Sequence, residues 1–152
     1  MMAAAKGVST PGACLNRLRR LQSFRMLARA QELYHQAASI ANHASRQAIE
    51  STILSREAAA QTERAKVLAS KLREMRAQGV EEPSAAARDL VTQSEEMILD
   101  GKRKLARAQL LIQKSSAGIR KSEQLIEQAS NMEARATVIL GPRDVFSESE
   151  EE

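Results

Sequence analysis

Tryptophan is absent from this sequence, and Phe24, Tyr34 and Phe146 are its only aromatic residues. A wide globular core is usually built around such bulky rings, so whatever core forms here is thin. Cys14 stands alone, which excludes an internal disulfide and any cysteine-based metal site. It is read as a small, semi-buried residue of a reducing compartment. No apolar run approaches the roughly 18 residues that a membrane-crossing helix requires. Strand-favouring residues never alternate over a useful length, and between Ala13 and Gly79 there is neither glycine nor proline.

What remains is a mixture of Ala, Leu, Ile, Gln, Glu, Lys and Arg, the composition of long helices with a repeating seam. The punctuation divides the chain. Gly7, Pro11 and Gly12 mark residues 1–12 as a disordered leader. A first helix is expected over 13–78 and a loop over 79–83, where Gly79 suits a helix C-cap and Pro83 the first turn of a new helix. That second helix is expected over 84–140, stopped by Gly141-Pro142. Residues 141–152 form an acidic tail with nothing to pack, expected to be disordered. Two helices of this length joined by a short loop bury their apolar faces by lying side by side. The fold class is therefore all-α: a long antiparallel two-helix coiled-coil hairpin over 13–140.

The second helix carries a regular seven-residue repeat. Val91, Ile98, Leu105, Ile112, Ile119 and Ile126 recur as a large row, read as one seam position. Ser94, Gly101, Ala108, Ser115, Ser122, Ala129 and Ala136 recur as a small row at the other. Large residues of one helix are expected to fill hollows left by small residues on its partner, and Ile112→Asp is expected to collapse the hairpin. In the first helix the matching stripe reads Leu27, Ala30, Tyr34, Ala37, Ala41, Ala44 and Ala48, resuming at Leu54, Ala58, Ala65, Leu68, Leu72 and Met75. Between these stretches, near Ser51, the spacing slips, which predicts a local change in supercoiling.

A further apolar stripe on the second helix, Leu90, Met97, Leu111, Leu125 and Met132, makes its face broader than a two-helix seam requires. Either the first helix has an equally broad face or another helix covers the stripe. It is assigned as the partner-binding surface, covered by a helix of another coiled-coil protein or of a second copy.

Charge is segregated at the ends. Residues 1–30 hold Lys6, Arg17, Arg19, Arg20, Arg25 and Arg29 and no acid, while Asp144, Glu148, Glu150, Glu151 and Glu152 close the chain. In a hairpin these ends meet. The tail is expected to fold over the basic end Arg17, Arg19, Arg20 and Arg25 until an acidic partner displaces it, through exposed, salt-sensitive pairs. Ser147 and Ser149 would add charge there on phosphorylation. The basic, acid-free start also fits a mitochondrial transit peptide; otherwise the chain is read as cytoplasmic.

No catalytic constellation is found. His35 and His43 are too far apart for one metal ion, and Glu32-x-x-His35 lacks the second copy that a di-metal bundle needs. The basic cluster Lys102, Arg103 and Lys104 is flanked by acids and has no interleaved aromatic ring, so it reads as a solvated face. Nucleic acid is not expected as a partner, and neither enzymatic activity, small-molecule substrate, cofactor nor metal is expected. The expected function is a scaffold or adaptor subunit that docks partner helices in a larger assembly. In overall plan, with LNRLRRLQSFRMLARAQ at 15–31 opening the hairpin, the chain resembles the stalk proteins of flagellar and type III secretion export. That resemblance implies a stalk or export chaperone as the alternative role. A membrane-fusion helix of the SNARE class would need a Gln or Arg layer in the seam, where Ser115 and Ser122 stand instead.

Overall fold

The computed structural model describes residues 11–79 and 84–141, and among these the chain is helical on both sides of the loop. Helix α1 spans Pro11–Ala77 and α2 spans Ala85–Leu140. Pro11 opens α1, where its missing N–H costs no helical bond. Gly79 and Gly141 both adopt positive φ (79° and 73°), the left-handed step that ends a helix and that glycine takes without steric cost. Ser84 caps α2, its hydroxyl accepting from the Ala87 N–H at 3.2 Å. The acidic tail, including Asp144, Glu148, Glu150, Glu151 and Glu152, lies outside the described residues, as does most of the leader.

The two helices pack against each other as a hairpin, within two compact units. The loop unit is Asn42–Ile119, and the terminal unit joins Met1–Ala41 to Arg120–Glu152. In the loop unit the Ser51 hydroxyl donates to the Ala108 carbonyl at 2.7 Å, and the Ser115 hydroxyl donates to the Ala44 carbonyl at 2.8 Å. In the terminal unit Ser23 donates to Ala136 at 3.1 Å and Ser122 to Ala37 at 3.0 Å. Each step of seven along α1 thus matches a step of seven back along α2, which is antiparallel pairing. Each unit is tied by one serine from either helix.

These pairs expose the repeat in α1 that hydrophobicity alone obscures. Ser23, Ala30, Ala37, Ala44, Ser51, Ala58 and Ala65 recur every seven residues, and all are buried. The slip expected near Ser51 is therefore corrected: Ser51 belongs to the seam. A serine fits there because its hydroxyl finds a backbone oxygen on the facing helix, so burial leaves no donor unpaired. Thr52, Thr62 and Thr137 lie on exposed or partly exposed positions and instead bond the carbonyl four residues back in their own helix.

Small side chains on both helices let the backbones approach closely. At Gly101 a Cβ would lie 3.6 Å from the Ala58 carbonyl oxygen, ordinary van der Waals contact with the opposite main chain. The terminal unit has a defined apolar cluster, in which Ala30, Leu33 and Ala129 are buried and Tyr34, Leu125 and Met132 pack against them. Cys14, expected to be semi-buried, is exposed on the first turns of α1.

Candidate partner-docking surface

Residues three and four positions after a small-row residue fall on opposite sides of it, because each residue advances the helix by about 100°. In an antiparallel pair with this symmetry, the "plus three" rows of both helices lie on one side of the seam and the "plus four" rows on the other. On α1 the plus-three row is rich: Met26, Leu33, Ile40, Leu54, Leu68 and Met75. Its plus-four row shrinks to Ala41, Ala48, Ser55 and Thr62 in the middle of the helix. The hairpin closes on the side where both helices supply large side chains.

That outcome reverses the expected division of faces. Leu90, Met97, Leu111, Leu125 and Met132, assigned from sequence to a partner, form the plus-three row of α2 and turn toward α1. Leu111 is 8% exposed and the other four are half-buried. The row assigned to the seam is the plus-four row, and it stays open: Val91 is 37% exposed and Ile119 47%, with Ile98, Leu105, Ile112 and Ile126 between these values. Leu33 of α1 is buried at 3% and belongs to the seam although it was absent from the sequence-derived stripe. Its spacing from Ala30 and Met26 is the signal that would have found it.

The rows lining the seam have polar members, and the loop unit accommodates them by pairing. Lys104 takes a plus-three position in α2. Its ammonium reaches Glu57 on α1 at 3.3 Å and Asp100 on its own helix at 3.4 Å. Gln61 donates through Nε2 to the same Asp100 carboxylate, and its Oε1 is buried without a hydrogen-bond partner. The Asp100 pKa is lowered, first by the Gln61 hydrogen bond and then by Lys104, which together outweigh the opposing effect of burial. For Lys104 burial acts downward, but the bonds to Glu57 and Asp100 outweigh it and hold the ammonium above its ordinary value. The solvated face expected at Lys102–Lys104 is thus corrected for Lys104, which is half-buried and bridges the two helices. Arg107 adds a more exposed link to Glu50 at 3.4 Å.

In the terminal unit the Tyr34 hydroxyl donates to Glu133 at 3.3 Å. Burial and the adjacent Glu133 carboxylate raise the Tyr34 pKa. Arg17, Arg19, Arg20 and Arg25 all lie on exposed turns of α1, among the exposed Leu15, Leu18, Leu21 and Phe24. His35 and His43 are exposed, and Glu32 is paired with Arg29 at 2.9 Å. No group of three His, Cys, Asp or Glu side chains suited to a metal ion occurs among the described residues. None of the described helices is long and apolar enough to cross a membrane. Surface depressions occur in each unit, one lined by Met26, Val138 and Ile139 and another by Val67, Leu68 and Met97. Both are apolar and shallow.

Among the described residues, the longest regularly spaced run of exposed large aliphatic side chains is therefore the open row of α2. No family model, curated protein or solved structure matches the chain.

Proposed function

We propose that this protein is a non-enzymatic coiled-coil scaffold or adaptor subunit that docks partner helices. The observation that carries the reading is the row Val91, Ile98, Leu105, Ile112 and Ile119, large and aliphatic at every seventh residue yet left more than a third exposed by the hairpin. A seven-residue spacing keeps a row aligned along a second helix, and isolated surface leucines do not produce it. The row stands on a helix tied to its neighbour through backbone oxygens, so it is presented on a rigid support.

The test compares proteins cross-linked to the tagged chain in its native host, using wild type and the double variant Ile98→Asn/Ile112→Asn. Both positions are exposed, so helicity is retained. Helical or coiled-coil proteins captured by wild type and lost from the variant support the reading; an identical set from both defeats it. Recovery of ATPase or export-gate subunits would instead favour an export stalk built on the same hairpin.

A further inference from the structure

We infer that the open row is covered by a second copy of this chain, giving a two-fold dimer in which each copy's aliphatic row lies in the other's trough of small residues. This inference rests on the reading of that row as a docking face and names its first occupant.

The trough is the counterpart of the row on α1. Thr62, Ser55 and Ala48 stand four residues after Ala58, Ser51 and Ala44, as Ile98, Leu105 and Ile112 stand four after Ser94, Gly101 and Ala108. Both sets therefore lie on the same side of the seam. The serine pairing sets their levels within the loop unit: with Ser51 against Ala108 and Ala44 against Ser115, Leu105 is level with Ser55, Ile112 with Ala48 and Ile98 with Thr62. One face thus carries a ridge of large aliphatic side chains beside a strip of small ones, in the same seven-residue register.

A two-fold interface has to be complementary to itself, since the same patch is used on both sides. Rotating a copy about an axis that runs along the helices and laying it face to face puts its α1 over the other's α2. Leu105 of each copy then meets Ser55 of the other, Ile112 meets Ala48 and Ile98 meets Thr62, with no change of level. The strip and the ridge themselves carry no charged residue at these positions. The size suffices as well. From Val91 to Ile119 the helix rises about 42 Å at roughly 1.5 Å per residue, and two helices about 10 Å apart present a face about 20 Å wide. That is on the order of 800 Å² per copy, the amount that a stable interface buries on each partner.

Light scattering or sedimentation equilibrium on the purified full chain at tens of micromolar should give twice the monomer mass of 16.7 kDa. Ile98→Asn/Ile112→Asn should give the monomer mass with an unchanged helical circular-dichroism spectrum. Ser55→Arg, on the other helix, should do the same by filling the trough. The geometry is read by disulfide capture in a Cys14→Ser background: Leu105→Cys mixed with Ser55→Cys should cross-link between chains, whereas Leu105→Cys alone should not. A monomeric wild type, or Leu105→Cys cross-linking efficiently to itself, overturns the inference. A monomer whose capture of other helical proteins is still lost with Ile98→Asn/Ile112→Asn overturns the dimer alone and leaves the docking role standing.

Discussion

Ser51 donates its hydroxyl hydrogen to the main-chain oxygen of Ala108, 57 residues away in sequence and 2.7 Å away in space. The bond is small in energy, but it requires two backbones close enough for a side chain with one heavy atom beyond Cβ to span them. Ser51→Ala should cost about 1 kcal/mol or less, the net worth of a neutral hydrogen bond. Ser51→Val keeps the seam apolar but overfills it, and should cost about 1–3 kcal/mol through overpacking. Thermal melts of the two variants decide the matter. A valine variant as stable as the alanine variant would mean the seam is looser than described.

The reversed faces give a second test. Leu111→Asp places a carboxylate on the buried side of α2 and should cost on the order of 3 kcal/mol or more, with a clear loss of helicity. Ile112→Asp, one residue on, places the same group on the open row and should leave the far-ultraviolet spectrum near that of wild type. Equal damage from both would restore the seam first read from the sequence.

Gly101 lies within the continuous helix α2, where its small size is not strictly required. A methyl group there would sit in ordinary contact with the Ala58 carbonyl oxygen and the Gln61 side chain. Gly101→Ala should therefore stabilise the protein by up to about 1 kcal/mol, the difference in helix propensity, seen as a melting point higher by a few degrees. A lower melting point would show that Ala58 and Gln61 cannot yield the space.

Tyr34 is the only tyrosine, and without tryptophan its ionisation can be followed by ultraviolet absorbance. Burial and Glu133 disfavour the phenolate, so the folded chain should titrate above the ordinary value of 10.0. A raised folded pKa of this kind contributes stability below the unfolded value that is lost as pH rises through the folded one. Glu133→Gln should bring the midpoint part of the way down, and denaturant should bring it to the ordinary value. A folded midpoint at the ordinary value would contradict the Tyr34–Glu133 contact.

Asp100 behaves in the opposite sense. Its pKa is lowered by Gln61 and Lys104, so its contribution is present above the ordinary carboxylate value and fades as pH falls through the lower folded value. Melting points of wild type and Asp100→Asn should differ near neutrality and converge in acid. A gap that persists undiminished at low pH would assign the stabilisation to something other than the carboxylate.

The small row of α2 was legible in the sequence because Ser94, Gly101, Ala108, Ser115, Ser122, Ala129 and Ala136 keep strict register. Its counterpart in α1 was not, since Ser23 and Ser51 count as polar until their acceptors on the other helix are known. Nor was it decidable from α2 alone which large row faces inward. Leu111 and Ile112 are adjacent and both apolar, and the row that faces inward is the less regular of the two, interrupted by Lys104 and Gly118. The deciding information lies in α1, where the plus-three row offers Leu33, Ile40 and Leu54 while the plus-four row offers Ala41, Ala48 and Ser55. A pairing preference between two helices is a property of both, and a helix read singly has only half of it.

A seam repeated every seven residues also behaves like a ruler whose graduations are all alike. Displace one helix by a full graduation and small residues again meet small residues, while each seam serine again finds a carbonyl, since every residue has one. The hydroxyl bonds therefore forbid fractional displacement without choosing among whole ones. The choice falls to the marks that do not repeat. Lys104 finds Glu57 and Arg107 finds Glu50 together in only one alignment; a heptad away in one direction Lys104 meets the cationic Arg64, and in the other it meets Glu50 while Arg107 is carried to His43. The least apolar spot in the loop unit is thus the one that numbers the scale.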